Sequence, residues 1–314
     1  MTLTLPTPAR PLAIGTRGSP LALAQANETR DRLAAAWDLP HEAISIVVIK
    51  TTGDRVLDRP LSEIGGKGLF TKEIEQALLA GQIDLAVHSS KDMPVTQPEG
   101  LVFDVFLPRE DVRDAFVSLG GAGGIADLPE GTVVGTSSLR RRAQLKARRP
   151  DLQVVEFRGN VQTRLKKLND GVAEATFLAM AGLRRLDMKD VPHRPISPDD
   201  MLPAVAQGAI GIERRDGDNR VAELLAPLHH AETATRVAAE RAFMAALDGS
   251  CQTPIAALAE LSGGSVHLRG EILRPDGSEV LTDAAEAPIE DAAMLGETIG
   301  RKLRDAAGPG FFDP

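Results

Sequence analysis

The strongest constraint on how this 314-residue chain folds is an alternation through its first two-thirds, in which short apolar runs of strand character are followed by segments with helix start and stop signals. LAIGTR at 12–17, ISIVVIK at 44–50, IDLAVHS at 83–89 and LVFDVF at 101–106 are four such runs; TVVGTSS at 132–138, QVVEFR at 153–158 and ATFLAM at 175–180 are three more. Ser19 before Pro20 predicts an N-cap and a proline at the first helical position, opening a helix to about Ala36. A second helix is predicted from about Leu69 to Ala80, with Gly81 as its C-cap. Strands alternating with helices specify an α/β fold. Breaks rich in Pro and Gly near Pro108, at Gly120 to Gly124 and between Pro192 and Pro203 mark loops or domain crossings. From about Glu232 the pattern changes to a helix reaching Leu247, then IAALAEL, VHLRGEIL and EVLTDAAEA around a Pro275-Asp276-Gly277 turn, and a final helix. That is the pattern of a small α+β domain with an antiparallel sheet. One core rarely grows past about 250–300 residues, so more than one domain is expected.

Composition excludes several classes. With 43% hydrophobic and 25% charged residues the chain reads as an ordinary globular protein rather than a disordered one. The opening MTLTLPTPARPL lacks the basic start, apolar run and cleavage site of a secretion signal, and no stretch approaches membrane-spanning length, so a cytoplasmic location without membrane contact is expected. The single cysteine, Cys251, cannot form an internal disulfide or, without histidines at ligand spacing, a metal site; such a residue ordinarily reads as a small buried apolar side chain. The net charge of −8 conceals an asymmetry: from Gly135 to Lys167 there are ten Lys or Arg against Asp151 and Glu156. From Glu232 onward 14 acidic residues face 7 basic ones, so any anion site belongs to the earlier domains.

GTSSLRRRAQLKARRP places Ser137 and Ser138 where a strand gives way to a helix, with Arg140 and Arg141 in the helix's first turn. Unpaired N–H groups, the positive end of the helix dipole and forked guanidiniums suit a carboxylate or phosphate. EFRGNVQTRLKK repeats the arrangement with Arg158 and Arg164. Arginines early in a helix oppose the dipole, which calls for a negative charge to balance them. AVHSSKDMP at 86–94 ends an apolar strand in a polar cluster, the position where α/β sheets carry active-site groups; taken singly, Asp92 reads as a turn residue and His88 as structural. GGKGLF at 65–70 lacks the spacing of a nucleotide phosphate loop.

Taken in order and spacing, RGSPLALAQ at 17–25, GGKGLFTKE at 65–73, AVHSSKDMP, GTSSLRR at 135–141, RGNVQTRL at 158–165, the QGAIGIE run from Gln207 and GSCQTPI at 249–255 are similar to the porphobilinogen deaminase family over nearly the whole chain. The resemblance implies two periplasmic-binding-protein-like α/β lobes with a central cleft, lobe 1 being 1–109 with 206–229 and lobe 2 being 110–205, and a C-terminal α+β domain at 230–314. It implies a hydroxymethylbilane synthase, which joins four porphobilinogen molecules head to tail on a covalent dipyrromethane cofactor and releases hydroxymethylbilane for tetrapyrrole synthesis. The cofactor would be a thioether of Cys251, with Lys91, Ser138, Arg140, Arg141 and Arg158 binding it. Arg17, Ser19, Gln25, Lys67, Ser89, Arg164 and Arg185 would bind substrate, whose acetate and propionate groups account for the arginines, and Asp92 would be the catalytic carboxylate. Three positions depart from the family pattern: Glu63 stands where some relatives have lysine, and Ala206 and Ser250 replace frequent glycines. The span from about Arg55 to Gly66 reads as a flap, from its Gly and polar content. A monomer without a metal is implied.

Two rival readings share some of these features. A non-enzymatic two-lobed polyanion-binding protein would share the lobes but has no use for a cysteine-bearing third domain. A nucleic-acid binder would use the basic window, but 3% aromatic residues leave little for base stacking.

Overall fold

The structure is a computed structural model and describes residues 3–55, 68–249 and 253–313. It divides into two compact units; among the described residues, the first takes in 3–55, 68–109 and 209–234, and the second 110–208 together with 235–249 and 253–313.

The first unit is built on a five-stranded sheet in the order β2-β1-β3-β10-β4, comprising β1 (Leu12–Thr16), β2 (Ile44–Val48), β3 (Leu85–Ser89), β4 (Leu101–Phe106) and β10 (Ile210–Arg215). β1 runs parallel to both β2 and β3, while β10 inserts antiparallel between β3 and β4. The chain therefore leaves this sheet after β4 and returns one strand later in space. The helices of this unit are α1 (Pro20–Trp37), the single turn α2 (Thr52–Arg55), α3 (Lys72–Leu79) and α7 (Asn219–Leu225). α1 starts as expected: Ser19 is extended, its side chain accepts from Ala22 N, and Pro20 follows. Its far end is an unexpected left-handed Asp38 at φ 50°, which donates its N–H to Ala34 O. Both sheet faces are covered, one by a core including Leu12, Ile14, Leu33, Leu85 and Ile212, the other by Ile74, Leu78, Ile83 and Leu101. Such double cover explains why these strands read as nearly continuous apolar runs.

The second unit repeats the plan in the order β7-β6-β8-β5-β9, with β5 (Asp114–Ser118), β6 (Val133–Gly135), β7 (Gln153–Val155), β8 (Ala175–Ala179) and β9 (His193–Pro195). β6 is parallel to β7 and β8, and β5 is antiparallel to β8 and β9. Neighbouring residues point to opposite faces: Phe116 and Phe177 join one core with Val134 and Leu145, whereas Val117 and Leu178 join the other with Phe157 and Leu168. The helices α4 (Leu139–Arg148), α5 (Val161–Asn169) and α6 (Met180–Arg185) follow β6, β7 and β8.

The same unit carries the C-terminal α+β segment. Here β11 (Ile255–Ser262), β12 (Ser265–Leu273) and β13 (Val280–Pro288) form an antiparallel meander, flanked by α8 (Ala231–Ala246) and α9 (Ala292–Ala307). α8 and α9 approach closely because Gly296 and Gly300 have no side chains; a Cβ on Gly296 would lie 2.0 Å from Ala239 O. The fold class is thus the α/β one expected, with two lobes of like build and a small C-terminal α+β part.

Candidate active site

In each lobe most of the singled-out residues that the structure describes lie at or shortly after the carboxyl ends of adjacent parallel strands. In the first unit β1 ends at Thr16, just before Arg17 and Ser19, and β3 ends at Ser89, just before Lys91 and Asp92. These two strands are neighbours, so the two clusters meet. One pocket is lined by Arg17, Ser19, Gln25, Ser89 and Asp92 together with Phe70, Thr71 and His88. Gln25 Nε2 donates to Ser89 Oγ at 2.8 Å, and the Arg17 guanidinium lies 4.1 Å from the centroid of the Phe70 ring. Stacking on an aromatic face fixes the plane of the guanidinium. Lys91 and Asp92 belong to a single 3-10 turn, Ser90–Asp92, and both are half-buried. Phe70 and Thr71 complete the pocket, and their sequence context gave no chemical reason to single them out.

Behind the pocket lies a buried titratable cluster. His88 Nε2 is 3.3 Å from Glu213 Oε2, and the Glu213 side chain is 0% exposed. Phe103 packs against the His88 ring at 6.4 Å between centroids, and Gly211 makes room for it, since a Cβ there would meet the Phe103 ring at 2.0 Å. The β10–β4 register shifts between Ile212 and Glu213, an irregularity of the kind that re-aims a side chain. Glu75 on α3 completes the group: burial raises its carboxyl above the usual range, and the neighbouring Glu213 carboxylate adds to the rise. His88 is structural in placement, as its sequence context indicates, though it forms part of the pocket wall.

In the second unit Ser138 caps α4, its side chain accepting from Arg141 N at 3.4 Å, and Ser137 Oγ accepts from Phe157 N at 2.9 Å. Arg158 is half-buried in the loop leaving β7. Arg164 on α5 donates from Nε to Gly159 O at 3.0 Å, and Arg185 at the end of α6 donates from Nη1 to Gly208 O at 3.1 Å. Arg140 and Arg141 are placed differently from a solvent-facing pair, for each is only 4% exposed. Between them sits Asp114, at 0% exposure, which opens β5. Arg140 Nη1 lies 2.7 Å from Asp114 Oδ2 and Arg141 Nη2 lies 2.7 Å from Asp114 Oδ1. Gln207 Nε2 donates to Asp114 Oδ1 at 3.0 Å, and Arg141 Nη1 donates to Phe177 O at 2.8 Å. Burial alone would raise the Asp114 carboxyl; the two guanidiniums outweigh it and hold the group well below the usual carboxylate range.

Part of the negative charge expected to balance these arginines therefore comes from the protein itself. Among the described residues Asp114 is the one carboxylate paired directly with both guanidiniums, the buried Glu271 joins them through Gln144, and Arg140 Nε is buried with no hydrogen-bond partner. A buried guanidinium N–H of this kind suits an anionic acceptor. Asp114 was missed in the sequence, where it stands as a lone acid at the head of an apolar strand, 26 and 27 positions from its partners. Lys67, Glu63, Ser250 and Cys251, and most of the expected flap, lie outside the described residues. Ala206, which replaces a glycine frequent in relatives, takes the left-handed φ of 58° that glycine would take without strain. Its N–H donates to Glu240 Oε2 at 2.6 Å, and Glu240 Oε1 accepts from Ala259 N at 2.9 Å, so a buried carboxylate grips the strained residue. Among the described residues no group of His, Cys, Asp and Glu could hold a metal ion, and no helix is long and apolar enough to cross a membrane.

Polar clusters at the strand ends of both lobes, with a buried pair of arginines in the second, have the chemistry that suits small anionic ligands. Residues 12–223 match the family described as porphobilinogen deaminase, dipyromethane cofactor binding domain, and residues 234–305 match porphobilinogen deaminase, C-terminal domain. The chain is 67% identical over 309 residues to a porphobilinogen deaminase of Paracoccus denitrificans (strain Pd 1222), covering 98% of both chains. The chain belongs to the porphobilinogen deaminase family. Among solved structures, a Salmonella typhimurium periplasmic binding protein of high arginine specificity aligns at 16% identity over 69% of this chain and 91% of its own, with a TM-score of 0.41. An ancestral cationic amino acid solute binding protein aligns at 16% identity over 68% and 88%, with a TM-score of 0.40.

Proposed function

We propose that this chain is a hydroxymethylbilane synthase, a transferase that condenses four porphobilinogen molecules head to tail with loss of ammonia and releases hydroxymethylbilane. The observation that carries the reading is the buried pair Arg140 and Arg141, both held directly by the single carboxylate of Asp114, with Arg140 Nε left without a hydrogen-bond partner among the described residues. A dipyrromethane bears carboxylate side chains, so it fits this donor set; Arg140, Arg141, Arg158, Ser138 and Lys91 would hold it, with Cys251 as its covalent attachment. Bound there, the group supplies the free pyrrole α-carbon to which each incoming unit is joined.

The chain's own residues do the rest. Arg17, Ser19, Gln25, Lys67, Ser89, Arg164 and Arg185 engage the acetate and propionate groups of porphobilinogen and fix the ring in one orientation, which lowers the entropic part of the barrier. Asp92, in the same pocket as Arg17 and Ser19, faces the positive charge that develops on the substrate as ammonia leaves, and a fixed carboxylate there lowers the energy of that charge. The same carboxylate can accept and return a proton. The reading extends to a monomer working in the cytoplasm, in three domains at 1–109 with 206–229, 110–205 and 230–314. The test is stoichiometry: purified protein given porphobilinogen should release one ammonia per substrate consumed and one linear tetrapyrrole per four. Binding of porphobilinogen without ammonia release would favour a polyanion-binding protein instead.

A further inference from the structure

We propose that Asp114, with Gln144 and Glu271, is a positioning device that sets Arg140 and Arg141 in their anion-holding geometry; the inference rests on the assignment of these two arginines to the cofactor. Each of the three residues is buried, and none is among those singled out for chemistry from the sequence. Asp114 holds both guanidiniums, Arg141 through Nε at 3.1 Å as well as Nη2 at 2.7 Å, and Arg140 through Nη1 at 2.7 Å. Arg140 Nη1 also donates to Gln144 Oε1 at 2.9 Å and to Leu202 O at 3.0 Å. Gln144 Nε2 in turn donates to Leu202 O at 3.0 Å and to Glu271 Oε1 at 2.6 Å.

The direction of this chain of bonds gives it a function. Glu271 is paired with Ala256 across the β11–β12 ladder, and β11 begins at Ile255, four residues after Cys251 in the sequence. Gln144 therefore ties the arginine pair to β12, the ladder partner of the strand that follows the cysteine, through hydrogen bonds made wholly within the protein. Here one carboxylate orients two guanidiniums directly, and the second buried carboxyl of the network, Glu271, reaches them only through Gln144. Orientation fixed in advance spares the ligand the cost of ordering two long side chains.

The test uses the full chain, made without cofactor and then given porphobilinogen, and follows by intact mass how fast the folded protein gains the dipyrromethane increment. Asp114→Asn keeps the shape and removes the charge; Gln144→Met removes the tie to Arg140 and Glu271 and leaves every charge in place. Both are expected to load at least about tenfold more slowly than the unaltered protein, with folding verified by circular dichroism, because misplaced groups lose that much in a positioned reaction. A merely structural Asp114 would lower stability and leave the loading rate of folded protein unchanged, and wild-type loading rates in folded D114N or in Q144M would overturn the proposal. If D114N does not fold, Q144M decides. Arg140→Gln and Arg141→Gln serve as the reference: their loading at the wild-type rate would remove the assignment of the arginines, whereas slow loading in them with normal loading in Q144M would sink the positioning role alone.

Discussion

Asp114 and Arg141 are partners in one ion pair, yet removing them should cost very different amounts. Breaking a buried pair by deleting one member costs about 3–5 kcal/mol, mostly because the other charge is left uncompensated. Asp114→Asn strands two guanidiniums, each 4% exposed, so its cost should lie at the top of that range or above it. Arg141→Met leaves Arg140 and Asp114 as a balanced pair, still hydrogen-bonded by Gln207. What it loses is the partner of Phe177 O and two contacts to a carboxylate that keeps others, roughly 1–3 kcal/mol. Urea unfolding of the cofactor-free variants near neutral pH should therefore separate them by about 2 kcal/mol or more, close to thirtyfold in the unfolding constant. An Arg141→Met protein as unstable as Asp114→Asn would refute the account of Asp114 as the shared direct partner of both guanidiniums. The pH dependence follows from the same pair. A carboxyl held low in the folded state contributes stability above its unfolded pKa of about 3.9 and loses it as pH falls through the folded value. The gap between wild type and Asp114→Asn should stay level from neutral pH to about 5 and narrow below about 4.

Three further outcomes are expected. Glu75, raised by burial and then by Glu213, binds its proton more tightly folded than unfolded, so the stability this lends is present below about pH 4.3 and lost as pH rises through the folded value; Glu75→Gln should gain thermal stability over wild type at alkaline pH, with the gain vanishing towards pH 4, and a pH-independent difference would contradict the assignment. Asp92→Asn should keep the covalent cofactor by mass yet lose at least about a hundredfold in kcat. Gly296→Ala drives a Cβ to 2.0 Å from Ala239 O, so α8 and α9 must part, at about 1–3 kcal/mol in urea unfolding and with little change in KM.

The strands legible in the sequence were those with uninterrupted apolar runs, and they fall where expected: β1 to β4 and β6 to β8 all lie within the segments marked for them. Ser19 caps the helix it was expected to cap, and Ser138, placed by the sequence where a strand gives way to a helix, turns out to be a cap as well. The second helix starts at Lys72, three residues later than the sequence suggests, since Gly68 at φ 84° opens a turn that delays it. β5 and β10, the antiparallel strands inserted into each sheet, were not marked as strands; each pairs with partners far away in sequence, and local pattern carries no signal for that. The strand-end clusters around Arg17 and Asp92 were visible because charged and hydroxyl residues interrupt apolar runs. Their meeting in one pocket depends on β1 and β3 being neighbours, which spacing alone does not state. Asp114 and Glu213 were illegible for a common reason: a single acid within an apolar strand looks like noise until its buried counter-charge is located.

The central claim, a covalent dipyrromethane on Cys251 that elongates by single pyrrole units, meets its most direct test in the intact mass of the purified protein under denaturing conditions, with peptide mapping across Cys251, before and after porphobilinogen is added. A two-pyrrole increment on the Cys251 peptide, followed by stepwise one-pyrrole increments with substrate, is the result expected. A Cys251 peptide that is unmodified at the outset and remains so with substrate would contradict the account.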